Sequence, residues 1–210
     1  MDESDIYKLW RSRENVLSML EKRKYDITEK DHMTFDEFMN WAKDEGYMEE
    51  KKDYSMVSTM KKRESVQVIK TYWLLDSKLG GVECRNISID MENNSIKNAI
   101  IIVRDSITSH SKTTLKLLAK QNNNIHTFTL SEMQIDIFKH EKVPEHIICS
   151  PLEKRKVMEV YNVNVKQLPM IKITDPVIKR LGAKRGQLIK IIYKSKTLLG
   201  YNSITYRIVI

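Results

Sequence analysis

The chain has 210 residues, 41% of them apolar and 30% charged, a balance that supports one large domain or two small ones and excludes a disordered tail. No apolar run approaches the roughly 18 residues of a membrane span, and the acidic opening "MDESDIYKLW" is unlike a secretory leader, so an intracellular protein with no membrane partner is expected. The net charge of +8 is lopsided: residues 1–140 hold 22 Lys and Arg against 23 Asp and Glu, while residues 141–210 hold 14 against 5. The basic last third suits a polyanion, either nucleic acid or the acidic surface of a protein.

In chain order, Ser4 is placed to cap a first helix that carries Ile6, Leu9, Trp10, Leu17 and Leu20 near one face. Thr34 and Glu37 form the capping box of a second helix, with Phe38 and Trp41 one turn apart and Gly46 as its stop. After the charged segment "EEKKDYSMVSTMKKRE" the period changes. "SVQVIKTYWLL" and "GVECRNISI", rich in β-branched and aromatic residues, predict a hairpin, and "NAIIIV" predicts a central strand covered on both faces. "SKTTLKLLAKQ" follows as a helix and "IHTFTL" as a strand. Strand, helix, strand around a wholly apolar segment implies an α/β lobe containing a parallel pair.

"HEKVPEHIICS" spans the charge boundary and is the expected junction, dividing the chain into residues 1–139 and 140–210. Beyond it, "SPLEKRKVMEVYNV" is a helix with Ser150 as N-cap, Pro151 at its first position and Glu153 completing the box. "QLPMIKI" is a strand, and Asp175 with Pro176 repeats the cap-plus-proline device for a short helix ended by Gly182. Gly186 is the flexible corner of "AKRGQ", where Lys184 and Arg185 project from an exposed turn, and "LIKIIYK" and "ITYRIVI" close the chain as strands. The overall class is α/β (α+β), an α/β lobe followed by a small α+β lobe.

No motif specifies chemistry. Cys84 and Cys149 stand far apart without a CxxC spacing and read as buried thiols, and His140 and His146 match no usual ligand spacing, so neither metal nor cofactor is expected. "RLGAKRGQ" is not a phosphate loop. Asp76, Glu83 and Arg85 are the nearest approach to a metal-assisted nuclease site, but an arginine too basic to exchange protons stands in the place of the usual lysine. "RDSITSHSKTT" follows the buried strand and opens a helix, so Thr108, Ser109, His110 and Lys112 can reach a phosphate backbone, or form an ordinary polar loop.

Residues 140–210 carry V-P-E-H, Q-L-P before a strand, D-P-V, L-G-x-K-R-G-Q, K-I-I and a closing T-Y-R in order. This set resembles the C-terminal module of the fifth-largest subunit of eukaryotic RNA polymerases, a module that archaeal RNA polymerases have as a small subunit by itself. "LWRSRENVLSML", "FDEF" and "IIIVRDSITSHSK" resemble the N-terminal lobe of the eukaryotic form.

The resemblance implies a non-catalytic polymerase subunit. Its N-terminal jaw lobe would have a restriction-endonuclease-like fold without the active centre and lie near downstream duplex DNA, and its C-terminal assembly lobe would dock on the largest subunit among the other subunits. It places the family's DNA-facing loop on residues 108–111, where Ser109 replaces a proline; from the charge of the last third, the basic turn of Lys184, Arg185 and Gly186, with Arg207, is expected at or near the assembly interface. Tyr193 replaces an arginine and Lys196 a glutamate, which suggests an adapted partner surface. Abundant Ile, Lys and Asn with only 6 Gly fits an AT-rich genome, that of a large DNA virus or a divergent eukaryote. A nuclear location is implied for a cellular protein, and cytoplasm or virion for a viral one. The alternative is a free-standing basic nucleic-acid-binding protein.

Overall fold

A computed structural model describes residues 2–44, 58–62, 65–75, 79–104, 107, 109, 113–115, 124–194 and 202–210. The chain divides into two compact units, Met1–Ile135 and Asp136–Ile210.

The first unit is organised by a four-stranded sheet in the order β1 (Ser58–Lys62), β2 (Ser65–Leu74), β3 (Asn98–Val103), β4 (Asn124–Thr129). β1 runs antiparallel to β2, whereas β2 with β3 and β3 with β4 are parallel. Residues 99–103 of β3 are all buried. Ala99, Ile101 and Val103 pack with Tyr72, Cys84, Ile87 and Met91, and on the other parity Ile100 and Ile102 are buried, as are Trp73 and Phe128. A strand covered on both faces has no solvent side to mark with polar residues, which is why "NAIIIV" does not alternate.

The second segment of the expected hairpin is a helix. Residues 81–93, "GVECRNISIDMEN", form α3 (Gly81–Asn93), following α1 (Glu3–Lys22) and α2 (Phe35–Asp44). β2 and β3 are parallel, and parallel neighbours need a long crossover rather than a tight turn. The helical signal lay in spacing: Cys84, Ile87 and Met91 are the buried positions, three and four residues apart, and Glu83 accepts the Gly80 N–H at 2.9 Å. β-branched content pointed to a strand, and tertiary context overrode it.

Other expectations divide. The Thr34–Glu37 box forms, with Thr34 N–H donating to Glu37 Oε2 at 2.8 Å and Glu37 N–H to Thr34 Oγ1 at 3.3 Å. Ser4 is not the cap of α1; Asp2 accepts from Asp5 N–H at 2.7 Å and the helix begins two residues before the expected turn, an anion at the positive helix end being favoured. β1 emerges from the segment read only as charged. Gly46 and Asp76 lie outside the described residues, as does most of the "SKTTLKLLAKQ" helix, of which residues 113–115 are helical.

Three helices close on non-glycine residues in the left-handed region. Lys24 (φ 66°), Ser95 (φ 54°) and Asn162 (φ 49°) follow α1, α3 and the helix at Pro151–Val160. In each the next N–H returns to the carbonyl five residues back: Tyr25 to Leu20 at 3.0 Å, Ile96 to Met91 at 2.8 Å, Val163 to Met158 at 3.1 Å. These paired bonds satisfy terminal carbonyls where the sequence shows no glycine to announce the stop.

After β4, α4 (Leu130–Met133) is joined to α1 by side-chain bonds. Asn15 Nδ2 donates to Met133 O at 2.7 Å, and Gln134 Nε2 donates to Lys8 O at 2.8 Å and Ser12 Oγ at 2.6 Å.

In the second unit the sheet order is β5 (Glu145–Ile148), β7 (Leu188–Tyr193), β8 (Ser203–Val209), β6 (Met170–Ile171), with only the β8–β6 pair parallel. β5 forms inside the segment read as a junction, and the "QLPMIKI" strand shrinks to Met170–Ile171, with Gln167 ending a 3-10 turn before it and a further turn beginning at Ile173. Ile178 and Ala183 of α6 (Pro176–Leu181) and the turn after it cover one face over Ile189, Ile191 and Val209. Val157 of α5 (Pro151–Val160) and Val163 cover the other over Leu188 and Ile208.

Ser95 sits at a left-handed position with a strain of about 1–2 kcal/mol that glycine escapes, partly offset by glycine's greater entropy loss on folding. Ser95→Gly is therefore expected to raise stability by about 0.5–1 kcal/mol in denaturant unfolding. Lys70 Nζ and Tyr72 Oη both donate to Asp90 Oδ2, at 2.6 and 2.5 Å, binding β2 to α3. The hydrogen bond from Lys70, then that from Tyr72, holds the Asp90 carboxyl below its ordinary 3.8. A depressed carboxylate contributes stability that is complete above its unfolded value and is lost as pH falls through the folded one. As pH falls below the ordinary carboxylate value, Asp90→Asn is expected to flatten this acid loss of thermal stability while lowering stability at neutral pH by about 1 kcal/mol.

Candidate functional site

The C-terminal basic turn is built by local chemistry. Asp175 Oδ1 accepts from Val177 N–H at 2.9 Å and Ile178 N–H at 3.3 Å, with Pro176 at the first helical position, so α6 starts without unpaired donors there. It ends at Gly182 (φ 67°), whose N–H returns to Lys179 O at 3.2 Å while Ala183 N–H returns to Ile178 O at 3.3 Å.

Residues 184–187 then form a clamped corner. Lys184 N–H donates to Gln187 Oε1 at 2.6 Å, and Gln187 N–H to Lys184 O at 3.1 Å. Gly186 (φ 83°) donates its N–H to Val209 O at 2.8 Å, and Val209 N–H donates to Gln187 O at 3.0 Å. A Cβ on Gly186 would meet nothing within 4 Å, so backbone conformation alone calls for glycine at this corner. Lys184, Arg185 and Gly186 are exposed.

Arg207, also exposed, stands opposite Ile189 and shares the face of β8 that bears Val209. The turn and Arg207 are thereby brought to neighbouring positions on β8. None of Lys184, Arg185 and Arg207 is paired with an acid among the described residues.

Lys154 carries no signal in the sequence pattern. It lies on α5 and donates from Nζ to Gly186 O at 2.8 Å, adding a cation behind the turn. Its partner is 32 residues away, beyond the range of any local pattern. Gln187 falls within a motif that by itself gives it no role; it is the side chain that holds the corner.

The N-terminal loop is described at its anchors. Ile107 packs on the sheet core with Leu115, and exposed Ser109 accepts at its carbonyl from Thr113 Oγ1 at 3.1 Å. Thr108, His110 and Lys112 lie outside the described residues. The chain leaves β3 at the C-terminal end of the parallel strands, where α/β sheets present crevices. At that rim Arg104 Nη2 meets Asp5 Oδ2 at 3.3 Å, so this cation is offset by an acid.

Glu83 is committed to the start of α3, Arg85 is exposed on the same helix, and Asp76 is outside the described residues. No group of three or more His, Cys, Asp and Glu side chains is arranged to hold a metal among the described residues, and no helix among them is long and apolar enough to cross a membrane. Both cysteines are buried, and neither forms a disulfide. Burial and then Glu153 raise the Cys149 thiol, which disfavours its thiolate form.

Comparison with known proteins accounts for both units. The chain matches the family model "RNA polymerase Rpb5, C-terminal domain" over residues 135–209 and "RNA polymerase Rpb5, N-terminal domain" over residues 3–91. It is 31% identical over 214 residues, 100% of this chain and 99% of the relative, to subunit RPABC1 of DNA-directed RNA polymerases I, II, and III from Caenorhabditis briggsae. The chain belongs to the RNA polymerase Rpb5 family.

The Caenorhabditis elegans protein of the same description is 30% identical over 211 residues, 100% of this chain and 99% of the relative. The subunit Rpo5 of the DNA-directed RNA polymerase of Methanothermobacter thermautotrophicus is 47% identical over 77 residues, 37% of this chain and 97% of that relative.

In the Rpb5-family corner, Gly186→Ala is expected to cost about 1–2 kcal/mol through left-handed strain alone, and Gly186→Asn less, since asparagine tolerates that region. Denaturant unfolding of the three proteins checks the order.

Proposed function

We propose that this Rpb5-family protein is a non-catalytic subunit of a multisubunit DNA-directed RNA polymerase, docking on the largest subunit through residues 140–210 and placing residues 1–139 as a jaw near downstream DNA. The observation that carries this reading is a clamped corner bearing Lys184 and Arg185 beside Arg207 on β8, all three exposed and paired with no acid among the described residues, in the unit where the excess positive charge is concentrated. A pre-organised basic surface loses little entropy when it meets an acidic one, and its charges supply orientation and encounter rate. The strands behind it give the corner a fixed mount.

On the jaw side, Thr108, Ser109, His110 and Lys112 are the proposed contact to duplex DNA, with no cofactor or metal required. Serine at 109 lacks the fixed φ that the family's proline would impose. In a cell the particle would be nuclear, and in a large DNA virus cytoplasmic or packaged in the virion.

The decisive measurement is copurification from the source with mass spectrometry: large polymerase subunits are expected in the same particle. Lys184→Ala, Arg185→Ala and Arg207→Ala combined are expected to reduce incorporation about ten-fold at physiological salt, corresponding to roughly 1.4 kcal/mol. Undiminished incorporation rejects this interface. A chain recovered alone, with duplex affinity that falls steeply with salt, would instead favour a free-standing nucleic-acid-binding protein.

A further inference from the structure

α5 is the least covered helix of the C-terminal unit. None of its residues is fully buried, and apolar side chains lie open on and just beyond it: Leu152 is 61% exposed, Val160 78% and Tyr161 60%. Exposed apolar residues scattered singly need no explanation; a concave surface on the same helix is lined by other side chains. A groove of about 590 Å³ runs along α5 and the loop after it, within the roughly 300–1,000 Å³ of sites that receive ligand groups.

The groove has an apolar bed and a basic wall. Met158, Val163 and Val165 form the bed, and Lys154 and Arg155 the wall, with Glu159 as its acid. The shape is held by backbone. Asn162 in the left-handed region turns the chain back, its N–H returning to Glu159 O at 3.2 Å and that of Val163 to Met158 O at 3.1 Å. Asn164 N–H then donates to Gln167 Oε1 at 2.7 Å, fixing the 3-10 turn that carries Val165. The bond from Lys154 Nζ to Gly186 O makes the basic wall continuous with the corner of Lys184 and Arg185.

We propose that this groove is a docking site for an acidic amphipathic protein segment, one that lays apolar side chains over Met158, Val163 and Val165 and sets carboxylates against Arg155 and the Lys154–Lys184–Arg185 side. The proposal rests on the polymerase reading above and takes the segment to belong to another subunit of the same particle. Charge complementarity selects this occupant: the wall and the adjoining corner are cationic, so a basic segment is repelled. Glu159 and the apolar bed disfavour a nucleic-acid backbone, which offers phosphates but little apolar surface. Two independent features of the groove thus point to the same chemistry, apolar contact for affinity and cations for register.

The test is photo-crosslinking in the assembled polymerase, with p-benzoylphenylalanine at Val165 and, separately, at Glu159, two exposed positions that line the groove. Copurification with the large subunits is measured first. In copurified particles, mass spectrometry is expected to find both probes joined to one segment of another subunit that alternates apolar and acidic residues. Arg155→Glu is expected to lower the yield at Val165 about five-fold or more, with recovery when a carboxylate of that segment is changed to lysine. Crosslinks only to nucleic acid, only to a second copy of this chain, or none in a particle that has formed, overturn the groove and leave the polymerase reading standing. Failure of the unsubstituted chain to copurify overturns both.

Discussion

Residues 208–210 are hydrogen-bonded on both sides. Ile208 N–H donates to Pro169 O at 2.8 Å and Ile210 N–H to Ile171 O at 2.9 Å, while Ile210 O receives Ile173 N–H at 2.9 Å. On the other flank, Val209 exchanges bonds with the Gly186–Gln187 corner. The end of the chain is thus an inner strand, and everything that gives the C-terminal unit a fixed outline is fastened to it. Ile208 and Val209 are buried, so their backbone bonds avoid a desolvation cost as well as adding their own contribution. α6 reaches its short length of six residues because it is capped at one end and closed by Gly182 at the other, and because its apolar side lies on Ile189 and Val209. A helix that short has no stability of its own.

The N-terminal unit obeys a different constraint, the continuous burial of β3. Parallel neighbours on either side require crossovers, and crossovers put covering layers on the sheet. That makes α3 obligatory between β2 and β3. The Asp90 carboxylate, receiving Lys70 and Tyr72, then ties that layer to the strand below at a place where the buried phenol would otherwise lack a partner; burial and then the Asp90 bond raise the Tyr72 phenol. Arg104, directly after β3, lies at the end of the sheet where α1 begins, as its pair with Asp5 records. A segment that follows a fully buried strand starts from a stable base whatever its own sequence.

Membership of the Rpb5 family joins these two constructions to transcription. In the C-terminal corner, Asp175, Pro176, Gly182, Gly186 and Gln187 each serve a cap or a constrained backbone position. A surface built from such positions has few tolerated alternatives. The groove along α5 differs, because its bed and wall are side chains on a regular helix and a 3-10 turn, where substitution changes the occupant without unfolding the scaffold.

Much was legible in the residues themselves wherever the determinant is local. The boxes at Thr34–Glu37 and Ser150–Glu153, the Asp175–Pro176 start, the Gly182 stop and the Gly186 corner all depend on atoms within three or four residues, and the apolar run at residues 99–103 could only be a covered strand. What the tertiary structure decided was everything whose partner is distant. Residues 81–93 became a helix because β2 and β3 pair in parallel; β5 formed in the expected junction because β7 offered an edge; Lys154 entered the basic site through a carbonyl on another element. Short-range caps and strained φ angles are encoded by residue type, whereas pairing, crossover and groove formation depend on which surfaces meet, and a linear pattern does not carry that information.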